Sequence, residues 1–198
     1  MLKLLFIRHG ESTGNLAKRM SGHEADRLTA QGQHQCQQLA RHLHQQGWQP
    51  SHIYSSPLPR ALDSVAELLA VWQWQLSGSP MPQIVPVAKD EHSQRLIDER
   101  TGSLPQLSIM HQLQEFDAGI LTGLTWQESK QQYPDLCQAL ETSRDWVSIP
   151  QAETPLAGRS RAVDFVNYLL AKHHNGDAVW LISHQWIMEH LIACLMGC

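Results

Sequence analysis

Residues 2–15 read Leu-Lys-Leu-Leu-Phe-Ile-Arg-His-Gly-Glu-Ser-Thr-Gly-Asn. Leu4, Leu5, Phe6 and Ile7 form a short continuous apolar run, the pattern of a strand buried on both faces of an α/β sheet. The run stops at Arg8-His9-Gly10, and Ser12, Thr13, Gly14 and Asn15 follow, residue types that favour turns and helix caps. A strand that ends in a polar, Gly-containing loop places its side chains at the carboxyl edge of the sheet, where open α/β folds bind ligands. Arg8 brings a permanent cation with a fork of donors, the glycines let backbone N–H groups approach an anion, and His9 brings a nitrogen nucleophile. Together they describe a site for a phosphoryl group.

The chain of 198 residues is long enough for one sizeable core, and a single domain over 1–198 is the expected division. Hydrophobic residues make up 42% and charged residues 17%, which fits a folded chain and excludes a disordered one. A formal charge of −4 argues against a nucleic-acid or anionic-membrane binder, since both partners reward a net basic surface. Phosphate attraction must then be local. The first residues are too short an apolar run for a secretory leader, which needs roughly 7 to 15, and no segment reaches the 18 or so apolar residues of a membrane span. With Cys36, Cys137, Cys194 and Cys198 in no CxxC or zinc-finger spacing, the expectation is reduced thiols in a cytoplasmic protein. His190, Cys194 and Cys198 could share one face of a last helix, a weak metal signal. The chain stops soon after that helix-like run, Trp186 to Met196, which leaves room for a further C-terminal tail.

Thr29 to Gln46 predicts an amphipathic helix capped by Thr29 and ended by Gly47. His52 to Ser56 predicts a strand, and Pro57 a helix start running to about Trp74. Gln83 to Ala88 predicts another strand, held to an edge by Pro82 and Pro86. Lys89 to Leu107, dense in charge, reads as an insertion forming a solvated helix or loop, with a lid or homodimer contact as the alternative. Leu156 to Ala171 predicts a helix, and Ala178 to Ser183 a second buried strand, leading to His184. Tryptophans such as Trp126 and Trp146 are expected as core anchors.

Arg8-His9-Gly10-Glu11-Ser12 with Asn15, after an N-terminal strand, resembles the signature of the histidine phosphatase superfamily, which includes phosphoglycerate mutases and many compact phosphatases. Three further segments are similar to that family's motifs, in the same order. Ser55-Ser56-Pro57-Leu58-Pro59-Arg60-Ala61 matches the segment whose arginine is a second phosphate ligand. Leu113-Gln114-Glu115 with Gly119 and Gly123 matches the segment whose glutamate is the proton donor, with Asp117 a local rival for that role. Ser183-His184 matches the last, but Gln185 stands where relatives carry glycine, and Gly158-Arg159-Ser160 where they carry Gly-Glu-Ser. Asp26-Arg27-Leu28-Thr29-Ala30-Gln31-Gly32 is a further, structural match.

The resemblance implies one three-layer α/β domain of the phosphoglycerate mutase-like kind, a mostly parallel central sheet with helices on both faces. It implies a phosphomonoesterase in which His9 attacks and Glu115 acts as acid then base, while Arg8, Asn15, Arg60 and His184 hold the phosphoryl group of a small phosphorylated substrate. No cofactor or metal is implied. A mutase using the same residues is the rival enzyme, and a catalytically weak phospho-ligand binder the rival of another class, suggested by Arg159 and Gln185.

Overall fold

The structure is a computed structural model that describes the backbone of residues 1–77, 84–86, 93–96 and 105–198, and the side chains of 1–71 and 105–198. Six strands form one sheet: β1 (Lys3–Arg8), β2 (His52–Ser55), β3 (Ile84–Pro86), β4 (Ser93–Leu96), β5 (Gln106–Ile109) and β6 (Ala178–Ser183). Their order is β1-β6-β2-β5-β4-β3. The first four in that order are mutually parallel, and β4 and β3 extend the sheet antiparallel. The helices are α1 (Thr13–Leu16), α2 (Ala30–Gln45), α3 (Pro59–Ser77), α4 (Trp126–Gln132), α5 (Pro134–Thr142), α6 (Pro155–Lys172) and α7 (Gln185–Leu195).

Side chains alternate across the central strands and so divide the core in two. Ile7, Ile53, Leu107, Trp180 and Ile182 face α2 and α3, where Cys36, Ala40, Leu43, Ala61, Val65 and Leu68 close over them. Tyr54, Val179 and Leu181 point the other way, against Phe165 and Leu169 of α6 and Ile187 and Leu191 of α7. Fully burying each large side chain contributes about 1.5 to 3 kcal/mol, which is what holds both helical layers on the sheet. The sheet, its parallel centre and its two helical layers agree with the three-layer expectation.

Local chemistry sets the helix boundaries. The Thr29 hydroxyl accepts the Gly32 N–H at 3.0 Å, starting α2, and Gly47 follows its end with φ +69°. Thr125 and Glu128 form a reciprocal capping box at α4. The predicted start of α3 is corrected by two residues: Pro59, not Pro57, is its first residue, because the Ser56 hydroxyl accepts the Leu58 N–H and holds 56–58 in a turn. Arg60 is thereby in the first turn.

Two expectations need correction. The stretch 89–107 contains β4 and the start of β5, neither of which was expected; Ser93-Gln94-Arg95-Leu96 lacks apolar alternation, and its strand exists through pairing with both neighbours. The remainder of that stretch, up to residue 104, lies outside the described residues, as do Gln83, Val87 and Ala88 flanking the edge strand β3. Trp126 and Trp146 are not core anchors: they are 37% and 53% exposed, and among the described residues Trp180 is the fully buried indole. Trp126 keeps its N–H on the Glu141 carboxylate at 3.0 Å, which needs a surface position. Among the described residues no helix is long and apolar enough to cross a membrane.

Candidate active site

Strand register assembles the site. Arg8 of β1 pairs with Ser183 of β6, so His9 and His184 leave the sheet side by side, and the His9 N–H donates to the Ser183 carbonyl at 3.1 Å. Ser55 pairs with Ile182 on the other flank of β6, which brings Ser56 to the same edge. Three loops distant in the chain thus converge at the carboxyl ends of parallel strands, the edge that open α/β sheets use for ligands.

His9 is buried. Its Nδ1 lies 2.7 Å from the Gly10 carbonyl, an acceptor only, so Nδ1 carries the proton and Nε2 keeps its lone pair. Burial, helped by Arg60 and Arg8 against the pull of the Gly10 carbonyl, lowers the His9 pKa to about 4. The ring is therefore neutral at neutral pH. Gly10 is held close to α2: a Cβ there would come 2.5 Å from the Gly32 carbonyl oxygen, and one on Gly32 would come 2.1 Å from that of Glu11. Only two facing glycines allow this crossing, which gives the Asp26–Gly32 segment its structural role.

Arg60 is almost wholly buried, with two of its donors on the carbonyls of Glu24 and Gly22 at 3.0 and 2.8 Å. Arg8 is exposed and donates to the Gln185 side-chain oxygen at 3.1 Å. Asn15 closes a capping box in which its Oδ1 accepts the Ser12 N–H, leaving its NH2 group for a ligand. His184 is fully buried. Its Nε2 lies 2.8 Å from the Ser56 hydroxyl, while its Nδ1, buried, has no hydrogen-bond partner. Burial first, then Arg60 and His9, push its pKa far down, so it too is neutral.

Glu115 sits on the loop after a short 3-10 turn, His111–Leu113, with its Oε1 accepting the Phe116 N–H at 2.9 Å. Burial raises its pKa, opposed by the Phe116 amide, by Arg60 and by the amides of Ile187 and Trp186 at the start of α7. Asp117 is differently employed: its Oδ1 accepts the Gly119 N–H at 2.9 Å and shapes the turn.

Arg8, His9, Asn15, Arg60 and Glu115 line one cavity of about 430 Å³. His184 is not among its lining residues; it lies beneath, with its ring centroid 5.0 Å from that of His9. The apolar wall is Phe116, Ala118, Ile149 and Trp186, with the Phe116 and Trp186 rings 4.7 Å apart. This wall was not legible from the motifs.

Two supports of the Glu115 loop were also missed. Arg161 donates to the carbonyls of Gln112 at 2.7 Å, Gln114 at 2.6 Å and Glu115 at 3.3 Å, and pairs through two nitrogens with Glu153. His23 Nε2 lies 2.9 Å from the Glu115 carbonyl. A buried-side arginine two residues from the divergent Arg159 was the available signal for the first; the second had none. Arg159 itself bonds the Cys198 carbonyl and does not line the cavity. Gln185 opens α7 behind an extended His184 (φ −129°, ψ 163°) and is not among the positive-φ residues, so the loss of glycine imposes no backbone strain there. Gly158, retained, is required: a Cβ on it would lie 2.2 Å from the Trp186 ring.

Among the described residues, His190, Cys194 and Cys198 do not converge as a metal-ligand set, and His190 packs edge-on against Trp186 at 4.2 Å.

Residues 4–80 and 91–198 match the sequence model of the histidine phosphatase superfamily (branch 1). The chain is 26% identical over 190 residues to the metal-independent phosphoserine phosphatase of Arabidopsis thaliana, covering 94% of this chain and 66% of that one. It is 28% identical over 155 residues to 2,3-bisphosphoglycerate-dependent phosphoglycerate mutase 1 of Latilactobacillus sakei, covering 78% and 60%. It therefore spans about two thirds or less of the length of these relatives. The crystal structure of the alpha-ribazole phosphatase from Shigella flexneri superposes with a TM-score of 0.73 at 24% identity, covering 98% of this chain and 79% of that one, a likeness of fold.

Proposed function

The chain belongs to branch 1 of the histidine phosphatase superfamily, and on that premise we propose that it is a metal-independent phosphomonoester hydrolase working through a phosphohistidine on His9. The observation that carries this reading is His9 itself: buried, neutral, with Nδ1 tied to the Gly10 carbonyl and Nε2 unprotonated beside Arg8 and Arg60 at one cavity.

Nε2 attacks phosphorus in line, forming a P–N bond as the P–O bond to the leaving alcohol breaks. Glu115, its carboxyl pKa raised by burial, gives its proton to that oxygen. Arg8 and Arg60 neutralise the equatorial oxygens, the Asn15 amide bonds them, and the His184 Nδ1–H supplies a neutral donor from beneath. Water then attacks phosphohistidine, yielding its proton to Glu115 carboxylate, and phosphate leaves with His9 regenerated. The arginines occupy the role that a divalent ion has in kinases, so no metal step is invoked.

The apolar wall favours this reading over the mutase. A mutase must retain a bisphosphate between half-reactions, which requires a second cationic subsite. Among the described residues, Lys18 borders an adjoining cavity that shares Arg8, His9, Asn15 and Arg19, while in this one Arg19 is engaged by Glu128 and the Gly123 carbonyl and the further lining is Phe116, Ala118, Ile149 and Trp186 with Glu189. That composition supports an uncharged, partly apolar leaving group. Rapid quench with labelled p-nitrophenyl phosphate tests the proposal: an acid-labile, base-stable adduct is expected on His9, and substantial turnover by His9→Ala would refute it. Isomerisation of 3-phosphoglycerate with added 2,3-bisphosphoglycerate would instead establish the mutase.

A further inference from the structure

At the opposite edge of the sheet, His52, His173 and Asp177 each offer a ligand atom, all within 4.8 Å of one another. His52 opens β2, His173 caps the end of α6, and Asp177 immediately precedes β6. Ser56 marks the phosphate end of the strand that begins at His52. Four residue steps at about 3.3 Å each put roughly 13 Å of strand between the two sites. This cluster is no part of the cavity around His9.

We propose that His52, His173 and Asp177 form a structural binding site for a divalent transition ion of the Zn²⁺ type, clipping the α6–β6 turn to the start of β2. Two imidazoles and a carboxylate are a donor set suited to Zn²⁺, Co²⁺ or Ni²⁺. Ligand atoms around tetrahedral zinc lie about 3.3 Å apart. His173 Nδ1 and Asp177 Oδ2 are already 3.0 Å apart, so only His52 has to close. The Ser51 hydroxyl donates to the Ala178 carbonyl at 3.1 Å and lies 3.1 Å from His52 Nδ1, which places the His52 proton on Nδ1 and leaves Nε2 as a ligand. Asp177 is about one-third exposed, which gives the ion a path in and water as its fourth ligand.

The surroundings supply what a ligating histidine needs beyond the ion. His173 Nε2 lies 2.8 Å from the buried Tyr54 hydroxyl. Ligating histidines hold their second nitrogen on such an oxygen, which fixes tautomer and ring angle. Without the ion, the His173 Nδ1–H donates to Asp177 and the Tyr54 O–H to Nε2. With it, the proton moves to Nε2, Tyr54 becomes the acceptor, and its own hydroxyl proton turns to Tyr168, with which it is already in hydrogen-bond contact. No proton need leave the protein, and no buried polar group is stranded.

Twelve histidines make adventitious metal binding a real competitor, so the test must be site-specific. The full chain, stripped with chelator, is titrated with Co²⁺ for the intense visible bands of four-coordination, then with Zn²⁺ in competition, for wild type, His52→Ala and Asp177→Asn. One tight equivalent is expected in wild type, with a rise in Tm of roughly 5 to 10 °C at a hundredfold excess over Kd. Both variants should lose the bands and the rise, and Tyr54→Phe should weaken Co²⁺ affinity about tenfold or more. Turnover of p-nitrophenyl phosphate should be the same in stripped and loaded wild type. Bands and melting shifts unchanged in both variants would mean surface histidines only, and overturn the site; so would the absence of binding to wild type at about 100 µM Zn²⁺, far above the Kd implied by the ~10 kcal/mol or more of a structural zinc site. Should His52→Ala fail to fold, Asp177→Asn decides alone.

Discussion

The rings of His9 and His184 stand 5.0 Å apart and tilted by 56°, the one exposing its working nitrogen to the cavity and the other buried beneath it. His9 lowers the tendency of His184 to protonate, and Arg60 acts on both in the same direction. Two neutral imidazoles therefore stand together at the phosphate site, His9 at the cavity with a tautomer fitted to attack and His184 directly beneath it.

The donor role of His184 is testable through Ser56. Its hydroxyl accepts the Leu58 N–H and donates to His184 Nε2, which puts the His184 proton on the unpartnered Nδ1. His184→Gln should cost roughly a hundredfold or more in kcat, the usual loss for one preorganised oxyanion donor. Ser56→Ala should cost about tenfold, because the ring stays while its tautomer is released. Equal KM with reduced kcat would place the contact in the transition state; unchanged kcat in both variants would remove His184 from the chemistry.

Glu115 and Arg161 should share a leaving-group signature. A general acid matters most when the leaving oxygen is a poor leaving group, so Glu115→Gln should cost about a hundredfold on an alkyl phosphate and far less on p-nitrophenyl phosphate. Arg161→Ala, which frees three carbonyls of the Glu115 loop, should show the same contrast in smaller measure. Asp117→Asn should show none, since its carboxylate serves the Gly119 turn. A contrast in Asp117→Asn with none in Glu115→Gln would transfer the acid to Asp117.

Gly158→Ala probes the apolar wall. The added methyl would drive into the Trp186 ring, which is already packed on Phe116 and His190. Overpacking of this kind costs about 1 to 3 kcal/mol, readable as a lower urea midpoint at constant slope. Because Trp186 lines the cavity, KM for aryl phosphates should rise with it, whereas a stability loss with unchanged KM would detach Trp186 from substrate.

Stability should fall with acid in a defined window. His9 has a pKa lowered from 6.5 to about 4 on folding, so between those values the unfolded chain binds the extra proton and stability declines as pH falls. His184, lowered further, adds to the slope in the same direction. Each contributes up to about 1.4 kcal/mol per pH unit. Urea unfolding of His9→Gln from pH 7 to 4 should show a slope shallower by about one proton; an unaltered slope would mean that His9 does not titrate abnormally.

The amino-acid sequence by itself determined the features that are local. Leu4–Ile7 and Ala178–Ser183 declare themselves as buried strands because each is a continuous apolar run, and Thr29 and Gly47 bound α2 because caps act within one turn. Residue types also carry chemistry in their covalent structure, so Arg8, His9, Arg60, Glu115 and His184 were legible as candidates. Tertiary structure alone decided the rest. The polar strand β4 exists only through its two neighbours. Arg161 and His23 reach Glu115 across 46 and 92 residues, distances over which no sequence periodicity extends. The Phe116–Trp186 wall depends on Gly158 of α6 leaving room for an indole from α7. The protonation state of His9 belongs to the same class: burial sets it first, and burial is a property of the folded chain.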